Sequence, residues 1–362
     1  MRFSTLLIVL FFTFSKLPSF CQNDSFTGYA VSKVNQDSII SCTTFGYANE
    51  ENKIAYSKNT IQPIGSVSKT FIGLALIIAQ EKGIIDLDTN INEYLDFEIN
   101  NPYIKGTNTI TLRHLATHTS GIIDDETIYE ASYTFDVVPK NKLHDFFYKN
   151  LVVTSKSKKK LFSKYKAGEN YSYSNVGAAL AAYILEKASG KPFNEFTKEY
   201  IFNPLQMKNT GWFFDEIDAS KLALLYDENK APLAKYSCDT YPDGSLKTTI
   251  TDLSLYLIEL IKGYNGNSTL LSKKGWSTFF SKQFSEHHWQ PKNSDPKEPN
   301  SGIFIFYFPS EEIGHTGSDL GVSCVLKFNP KTNTGQIFMA NEDLTKNNVT
   351  TFKTIWKKEF NK

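Results

Sequence analysis

The stretch Gln62-Pro63-Ile64-Gly65-Ser66-Val67-Ser68-Lys69-Thr70-Phe71 opens a segment that stays apolar on nearly all sides as far as Glu81 and stops at Gly83. A helix without a polar face belongs in the interior of a protein, and a glycine commonly ends a helix. The segment therefore predicts a buried helix over Ser66–Glu81. Its first turn carries a serine and a lysine, although a buried lysine is costly unless it is paired.

Ser66 and Lys69 form an S-x-x-K pair in this helix. Residues three apart lie on one helical face, so the amine can reach the hydroxyl. A serine hydroxyl is a weak nucleophile until a neighbouring base takes its proton, and the N-terminal end of a helix favours a developing anion. The bare pattern also occurs at Ser155 with Lys158, Ser157 with Lys160, and Ser163 with Lys166. The position after Gly65, at the mouth of a buried helix, makes Ser66 the candidate nucleophile.

Two further stretches carry candidate functional residues. Tyr173-Ser174-Asn175 precedes a predicted helix over Val176–Ala188. Taken alone, this stretch predicts an ordinary turn before that helix. Gly314-His315-Thr316-Gly317-Ser318 precedes a predicted strand over Val322–Phe328, where a glycine lets the backbone come close to a ligand.

In their order along the chain, the stretches around Ser66, Tyr173 and His315 resemble the S-x-x-K, Tyr-x-Asn and His-Thr-Gly elements of class C β-lactamases and their relatives, which include D,D-carboxypeptidases and several esterases. Further segments that look like family segments are Ile110–Gly121, Ile201–Met207 and Tyr241–Leu246. The resemblance covers nearly the whole mature chain and implies a β-lactamase/transpeptidase-like fold.

The resemblance also implies a role for each matching residue. Ser66 would be the nucleophile, with Lys69 and Tyr173 as the other catalytic residues. Asn175 would bind the substrate amide and Lys69. The other substrate-binding residues would be His315, Thr316, Gly317 and Ser318. The backbone amides of Ser66 and Ser318 would form an oxyanion hole, and the mechanism requires neither a metal nor an organic cofactor.

His315 stands where typical β-lactamases carry a lysine. A lysine ammonium is charged at pH 7, whereas a free imidazole is charged only in part. We therefore expect recognition of a substrate carboxylate to weaken as the pH rises, unless another cation contributes. By resemblance, His-Thr-Gly occurs in relatives with D,D-peptidase or esterase activity.

The remaining sequence predicts an α/β (α+β) fold whose antiparallel sheet comes from both chain ends and is flanked by helices. Two β-rich runs, Phe26–Val34 and Ser38–Phe45, predict a hairpin. A C-terminal helix is predicted over Val349–Phe360. The strands predicted near the C-terminus are Ile303–Phe308, Val322–Phe328 and Gln336–Ala340.

We expect a single catalytic domain over residues 22–362. A mostly helical region of about 66–240 would be inserted between sheet-forming segments of about 22–65 and 245–362. Within the helical region, the lysine- and serine-rich segment Ser155–Lys160 predicts a solvated loop.

The N-terminal segment is typical of a secretory signal. A basic start at Arg2 precedes an apolar run over Leu6–Phe14, which is too short to span a bilayer. We predict a signal peptide over residues 1–21, cleavage before Gln22, and export to the periplasm or the extracellular space. Lipidation of Cys21 is the alternative, although the residues before it match a lipoprotein signal poorly.

Composition excludes several other kinds of partner and site. Lys and Arg number 39 against 38 for Asp and Glu, so no net field attracts nucleic acid or an anionic membrane. The widely spaced Cys42, Cys238 and Cys324 predict small buried residues rather than a disulfide scaffold or a zinc site. His114 and His118 lie four residues apart without a third ligand, so we interpret both as hydrogen-bonded to loop backbone rather than to a metal.

Together these features predict a secreted serine hydrolase that forms an acyl-enzyme on Ser66 with amide substrates such as β-lactams or D-amino-acid peptides. Two alternatives stay open: a carboxylesterase on the same scaffold, and a penicillin-binding sensor that keeps its ligand without turnover. The expected partner is a small-molecule or peptide substrate, and the sequence leaves the oligomeric state open.

Overall fold

The computed structural model describes residues 26–153, 155–284, 291–297 and 299–360 of the 362-residue chain. The predicted signal peptide, with Cys21, lies outside these residues. None of the helices in the described ranges combines the length and the apolar character that crossing a lipid bilayer requires.

An eight-stranded antiparallel sheet forms from the two ends of the chain, as the sequence predicts. The strands are β1 (Gly28–Asn35), β2 (Ile39–Asn49), β3 (Ile54–Ala55), β4 (Ile61–Pro63), β5 (Tyr133–Thr134), β6 (Ser237–Cys238), β7 (Lys247–Thr249), β8 (Asn300–Ser301), β9 (Phe306–Tyr307), β10 (Ile313–Asp319), β11 (Val322–Asn329) and β12 (Thr334–Ala340). The large sheet has the order β3-β2-β1-β12-β11-β10-β9-β8, while β4 pairs with β7 and β5 with β6. Tyr29 of β1 lies opposite Ala340 of β12, so the first strand pairs directly with the last.

The predicted N-terminal hairpin is confirmed. β1 and β2 pair antiparallel, with Ala30 opposite Thr44. At the turn between them, Asn35 Oδ1 accepts hydrogen bonds from the amides of Asp37 and Ser38, each at 2.8 Å. An asparagine side chain that binds the backbone two residues further on replaces a backbone turn contact, which explains why this polar cluster ends β1.

The predicted strand over Ile303–Phe308 is largely wrong. Only Phe306–Tyr307 is a strand, because Phe304 has a φ of +53° and a left-handed residue interrupts an extended run. The amide of Phe304 binds the carbonyl oxygen of Ala116 at 3.0 Å instead of a neighbouring strand. The other two predicted strands are present as β11 and β12.

The described helices are α1 (Ser68–Glu81), α2 (Leu112–Ala116), α3 (Glu126–Glu130), α4 (Leu143–Phe147), α5 (Ser155–Lys160), α6 (Asn175–Ser189), α7 (Phe193–Thr197), α8 (Ile250–Tyr264), α9 (Lys273–Phe280) and α10 (Val349–Phe360). Both α6 and α10 match predicted helices to within a residue at each end. The loop predicted at Ser155–Lys160 is wrong, because these residues form α5. Lysine is a good helix former, and an exposed helix such as that around Lys156 keeps the charges in water.

The described cysteines form no disulfide. Cys238 and Cys324 are buried, whereas Cys42 is partly exposed, so the prediction of small buried residues is confirmed for two of the three. Burial raises the pKa of the Cys324 thiol, which keeps it in the neutral, unreactive form.

Helix α1 lies in the core of the protein. Every residue from Ser68 to Ala79 is buried. The preceding residues Gly65–Val67 form a tight 3-10 turn, so the α-helix begins two residues later than predicted. Phe71 stacks on Tyr256 of α8, with the ring centroids 3.8 Å apart. Core packing therefore fixes the N-terminal end of α1, where Ser66 lies.

A substitution at Gly73 tests how closely α1 packs against its neighbours. A Cβ atom at this position would lie 2.2 Å from the carbonyl oxygen of Ile303. We expect Gly73→Ala to lower the free energy of unfolding by about 1–3 kcal/mol through overpacking, although alanine alone favours a helix by about 1 kcal/mol over glycine. Urea denaturation of the two proteins measures the difference.

Thr354→Ala, on the exposed side of α10, is the matched control. It changes helix propensity without a steric clash, so the free energy of unfolding should stay within about 0.5 kcal/mol of wild type. A gain in stability for Gly73→Ala would contradict the close contact between α1 and Ile303.

Candidate active site

The side chain of Lys69 is completely buried and its ammonium has three hydrogen-bond acceptors. Nζ donates to Ser66 Oγ at 3.0 Å, to Asn175 Oδ1 at 2.7 Å and to the carbonyl oxygen of Asp243 at 2.6 Å. A buried charge is costly unless hydrogen bonds replace its water, and three acceptors match the three N–H groups of a lysine. The S-x-x-K spacing thus places the amine in direct contact with the serine hydroxyl.

Asp124 holds the residues at the N-terminus of α6. Its carboxylate accepts hydrogen bonds from the hydroxyl of Ser174 at 2.8 Å and from the amides of Asn175 at 2.8 Å and Val176 at 3.0 Å. A negative charge there is also favoured by the helix dipole. Sequence reasoning missed Asp124, because nothing local marks an acid whose partners lie about 50 positions away.

Tyr173 lies beside the buried ammonium. Its ring centroid is 5.1 Å from Lys69 Nζ and 6.4 Å from the ring centroid of His315. On another side the ring stacks on His118, with the centroids 4.3 Å apart. The structure therefore brings Tyr173 and Asn175 to the same lysine.

The third stretch forms β10, which lies directly against the turn that carries Ser66. A Cβ atom at Gly65, where φ is +52°, would lie 2.7 Å from the amide nitrogen of Ser318. One at Gly317 would lie 2.1 Å from the carbonyl oxygen of Ile64 and 3.2 Å from the amide nitrogen of Ser66. Glycine at both positions lets the two backbones approach this closely, which brings the amides of Ser66 and Ser318 close together.

His315 is buried and uncharged, which corrects the expectation of a partly charged imidazole. Burial and the neighbouring Lys69 ammonium lower the pKa of His315 to about 3. The ring lies 2.5 Å, through Nδ1, from the carbonyl oxygen of Thr316. Because a carbonyl only accepts, Nδ1 carries the proton and Nε2 the lone pair. Its affinity for a substrate carboxylate should therefore not change with pH near neutrality.

The side chains of Thr316 and Ser318 are exposed, whereas His315 and Gly317 are buried, as expected for alternating faces of a strand. Thr316 and Ser318 line a groove of about 480 Å³ that also involves α10. The exposed Lys353 and Lys357 of α10 line it too, and no acidic residue is among its described lining residues. Its apolar lining includes Val325, Phe338, Phe352 and Trp356.

Asp243 is a second residue that sequence reasoning missed. Its carbonyl oxygen binds Lys69, while its buried carboxyl accepts a hydrogen bond from the hydroxyl of Tyr129 at 2.9 Å. Burial raises the pKa of Asp243 to about 7, although the Lys69 ammonium opposes this effect. The residue lies in the family-like segment Tyr241–Leu246, which is expected to serve the fold.

The structural interpretation of the paired histidines is confirmed. His114 Nδ1 accepts a hydrogen bond from the amide of Thr111 at 3.2 Å. His118 Nδ1 accepts one from the amide of Ser174 at 3.1 Å. Both imidazoles therefore bind loop backbone.

The charge state of His315 can be measured directly. We expect the imidazole resonances of His315 to stay constant from pH 8 to pH 5, because burial keeps the ring neutral. A histidine in the unfolded chain titrates near about 6.5. The neutral ring thus favours the folded state above that pH, and this contribution is lost as the pH falls from about 6.5 towards 3. NMR titration tests whether the imidazole resonances stay constant, and His315→Gln assigns the signal. A titration midpoint near about 6.5 would contradict a neutral His315.

Solved structures of other proteins share this architecture. An octameric penicillin-binding protein homologue from Pyrococcus abyssi superposes with a TM-score of 0.71 at 23% identity, over 88% of this chain and 70% of that chain. A penicillin-binding protein from Bacillus halodurans superposes with a TM-score of 0.68 at 22% identity, over 90% of this chain and 94% of the other. These likenesses confirm the predicted fold class.

Sequence relatives point the same way. Penicillin-binding protein 4* of Bacillus subtilis is 31% identical over 167 residues, which are 46% of this chain and 34% of that protein. A β-lactamase of Providencia stuartii is 26% identical over 216 residues, 59% of this chain and 50% of that one. The match thus spans between a third and a half of the length of these two relatives. The family model described as Beta-lactamase matches residues 19–357, nearly the whole chain, and the chain therefore belongs to the β-lactamase family of serine hydrolases.

Proposed function

We propose that this protein is a secreted serine hydrolase that forms an acyl-enzyme on Ser66 with amide substrates such as β-lactams or D-amino-acid peptides. The observation that carries the proposal is the 3.0 Å contact between Lys69 Nζ and Ser66 Oγ at the mouth of a buried helix. The signal-like residues 1–21 support export to a compartment where such substrates occur.

Acylation would use the contacts around Ser66. The hydroxyl proton passes to Tyr173, whose phenolate the Lys69 ammonium stabilises, while Oγ bonds to the carbonyl carbon of the substrate. The carbonyl oxygen becomes an oxyanion, which the amides of Ser66 and Ser318 bind; removing one such donor typically lowers a rate by about 100- to 1000-fold. When the carbonyl re-forms, the bond to the leaving group breaks and Tyr173 returns the proton to it.

Deacylation would repeat this chemistry with water. Tyr173 takes a proton from the water that attacks the acyl carbon and transfers a proton to Ser66 Oγ as the ester bond breaks. The rate of this second step separates an enzyme from a sensor, because a slow step leaves the ligand on Ser66. The structure supports the first step more directly, through the Ser66–Lys69 contact.

A carboxylesterase is the second candidate, and the neutral His315 favours it. A permanent cation at this position would attract a carboxylate, whereas His315 is buried and has a pKa of about 3. An ester without a carboxylate has no need for such a cation. The neutrality of His315 would therefore not weaken the binding of small neutral esters.

A substrate carboxylate would find its cations in the groove beside α10. Thr316 and Ser318 line the groove from β10, and Lys353 and Lys357 line it from α10. Hydrogen bonds from a charged donor to a carboxylate are the stronger kind. Lys353 and Lys357 would be the additional cations that the neutrality of His315 requires for anionic substrates.

The first experiment compares wild type with Ser66→Ala. The proteins are incubated with a fluorescent penicillin, with a chromogenic cephalosporin and with p-nitrophenyl acetate, and label is followed by intact mass and turnover by absorbance. We expect Ser66→Ala to lose both label and turnover, at least about 1000-fold. Ser157→Ala, which removes the serine of another S-x-x-K pair, is the control and should keep wild-type values.

Each result assigns a function. Fast cephalosporin turnover through Ser66 identifies a β-lactamase, and a lasting penicillin adduct identifies a D,D-peptidase or a sensor. Ser66-dependent cleavage of p-nitrophenyl acetate alone identifies a carboxylesterase. Full activity of Ser66→Ala would overturn the proposal.

The groove is tested with Lys353→Gln and Lys357→Gln. We expect each to raise KM for an anionic penicillin by about two- to fivefold, the range for exposed ion pairs, and to leave KM for p-nitrophenyl acetate unchanged. The difference should shrink at high salt. Lys358→Gln is the matched control, because Lys358 neighbours Lys357 but does not line the groove. Equal effects of the two adjacent substitutions would contradict a carboxylate site.

A further inference from the structure

His118 holds the backbone on both sides of Tyr173, and none of the steps proposed above uses it. Its carbonyl oxygen accepts a hydrogen bond from the amide of Ser172 at 2.8 Å. Its Nδ1 accepts one from the amide of Ser174 at 3.1 Å. The imidazole and phenol rings stack with their centroids 4.3 Å apart and 28° between their planes. The residues before and after Tyr173 are thus tied to the same residue that contacts its ring.

This arrangement imposes an unfavourable environment on His118. Its φ of +55° lies in the left-handed region, which few non-glycine residues adopt. The residue is 2% exposed, and Nε2 has no hydrogen-bond partner within the described ranges. Residues with a strained backbone persist where the surrounding structure imposes them, and they cluster at functional sites.

The hydrogen bond from Ser174 also defines the charge state of the ring. Because Nδ1 accepts the hydrogen bond of the Ser174 amide, the neutral imidazole carries its own proton on Nε2. A proton on Nδ1 would break this hydrogen bond and add a positive charge near Lys69. Burial, reinforced by Lys69, accordingly holds the pKa of His118 well below its usual range.

Tyr173 needs such a support because it precedes α6. The helix begins at Asn175 with Ser174 as its N-cap, so helical hydrogen bonds do not fix the phenol. A phenol that exchanges a proton with Ser66 must keep its oxygen within hydrogen-bond reach. A displacement of about 1 Å can lower a rate by about 100-fold.

We propose that His118 is the positioning residue of Tyr173. Its carbonyl oxygen and Nδ1 fix the backbone on both sides of the tyrosine, and its neutral ring fixes the plane of the phenol beside Lys69. This inference rests on the proposed function, because it requires Tyr173 to take part in acylation.

Two substitutions separate positioning from folding. His118→Ala removes the ring and the Nδ1 acceptor, whereas His118→Asn keeps an acceptor and a residue type that tolerates the left-handed region. We expect His118→Ala to lower the acylation rate at saturating fluorescent penicillin, or kcat for p-nitrophenyl acetate, by about 10- to 100-fold with KM within about twofold. His118→Asn should recover part of the lost rate.

His114→Ala is the matched control. His114 is another histidine whose Nδ1 binds loop backbone, the amide of Thr111, but it does not stack on Tyr173. Its loss should lower the melting temperature and leave kcat of the folded protein at the wild-type value. All variants are assayed well below their melting temperatures, so a loss of stability alone does not change kcat.

The outcomes distinguish a failure of the positioning role of His118 from a failure of the proposed function on which that role rests. A wild-type kcat in His118→Ala, or the same fall in kcat for His114→Ala and His118→Ala, would overturn the positioning role while leaving the hydrolase intact. A wild-type protein without any Ser66-dependent reaction would overturn the proposed function, and the inference with it. A selective fall in kcat that asparagine partly restores supports the inference.

Discussion

The burial of the Lys69 ammonium is the constraint on which the rest of the site depends. Transfer of a charge into the interior is tolerated only when every N–H finds an acceptor. The three acceptors come from three parts of the chain: the turn before α1, the first residue of α6 and the carbonyl oxygen of Asp243. Any displacement of one of these elements would leave the ammonium unsatisfied, so the lysine couples the packing of the core to the geometry around Ser66.

Local sequence pattern was sufficient to predict the elements whose apolar residues pack in the core or whose ends carry turn residues. The apolar run of α1, the Asn35 turn and the helix over Val349–Phe360 were all predictable, because periodicity and turn residues act over a few positions. The S-x-x-K spacing in a buried helix singled out Ser66 and Lys69, whereas Tyr173 was singled out by the family resemblance, and the roles of all three stay predictions. Sequence could not find Asp124, because its partners become neighbours only in the folded chain.

For His315 the physical cause of the correction is burial, which is a property of the whole fold. The free imidazole of His315 titrates near neutrality, and only its desolvation in the structure makes it neutral. The left-handed residue Phe304 likewise has an apolar side chain that suits a strand, yet its backbone binds Ala116. At α5 the error was the reverse, since solvent-exposed lysines did not exclude a helix.

The pairing of β1 with β12 determines when the site can assemble. Thr27 and Glu342, which are hydrogen-bonded beside these strands, lie 315 positions apart, and contacts of such long range raise the contact order and slow folding. A ribosome releases Ser66 and Lys69 long before β10, the strand that flanks them. β10 pairs with β11, which in turn pairs with β12. A nascent or truncated chain therefore carries Ser66 and Lys69 without the opposing strand, and the candidate site is complete only when the C-terminal strands have joined.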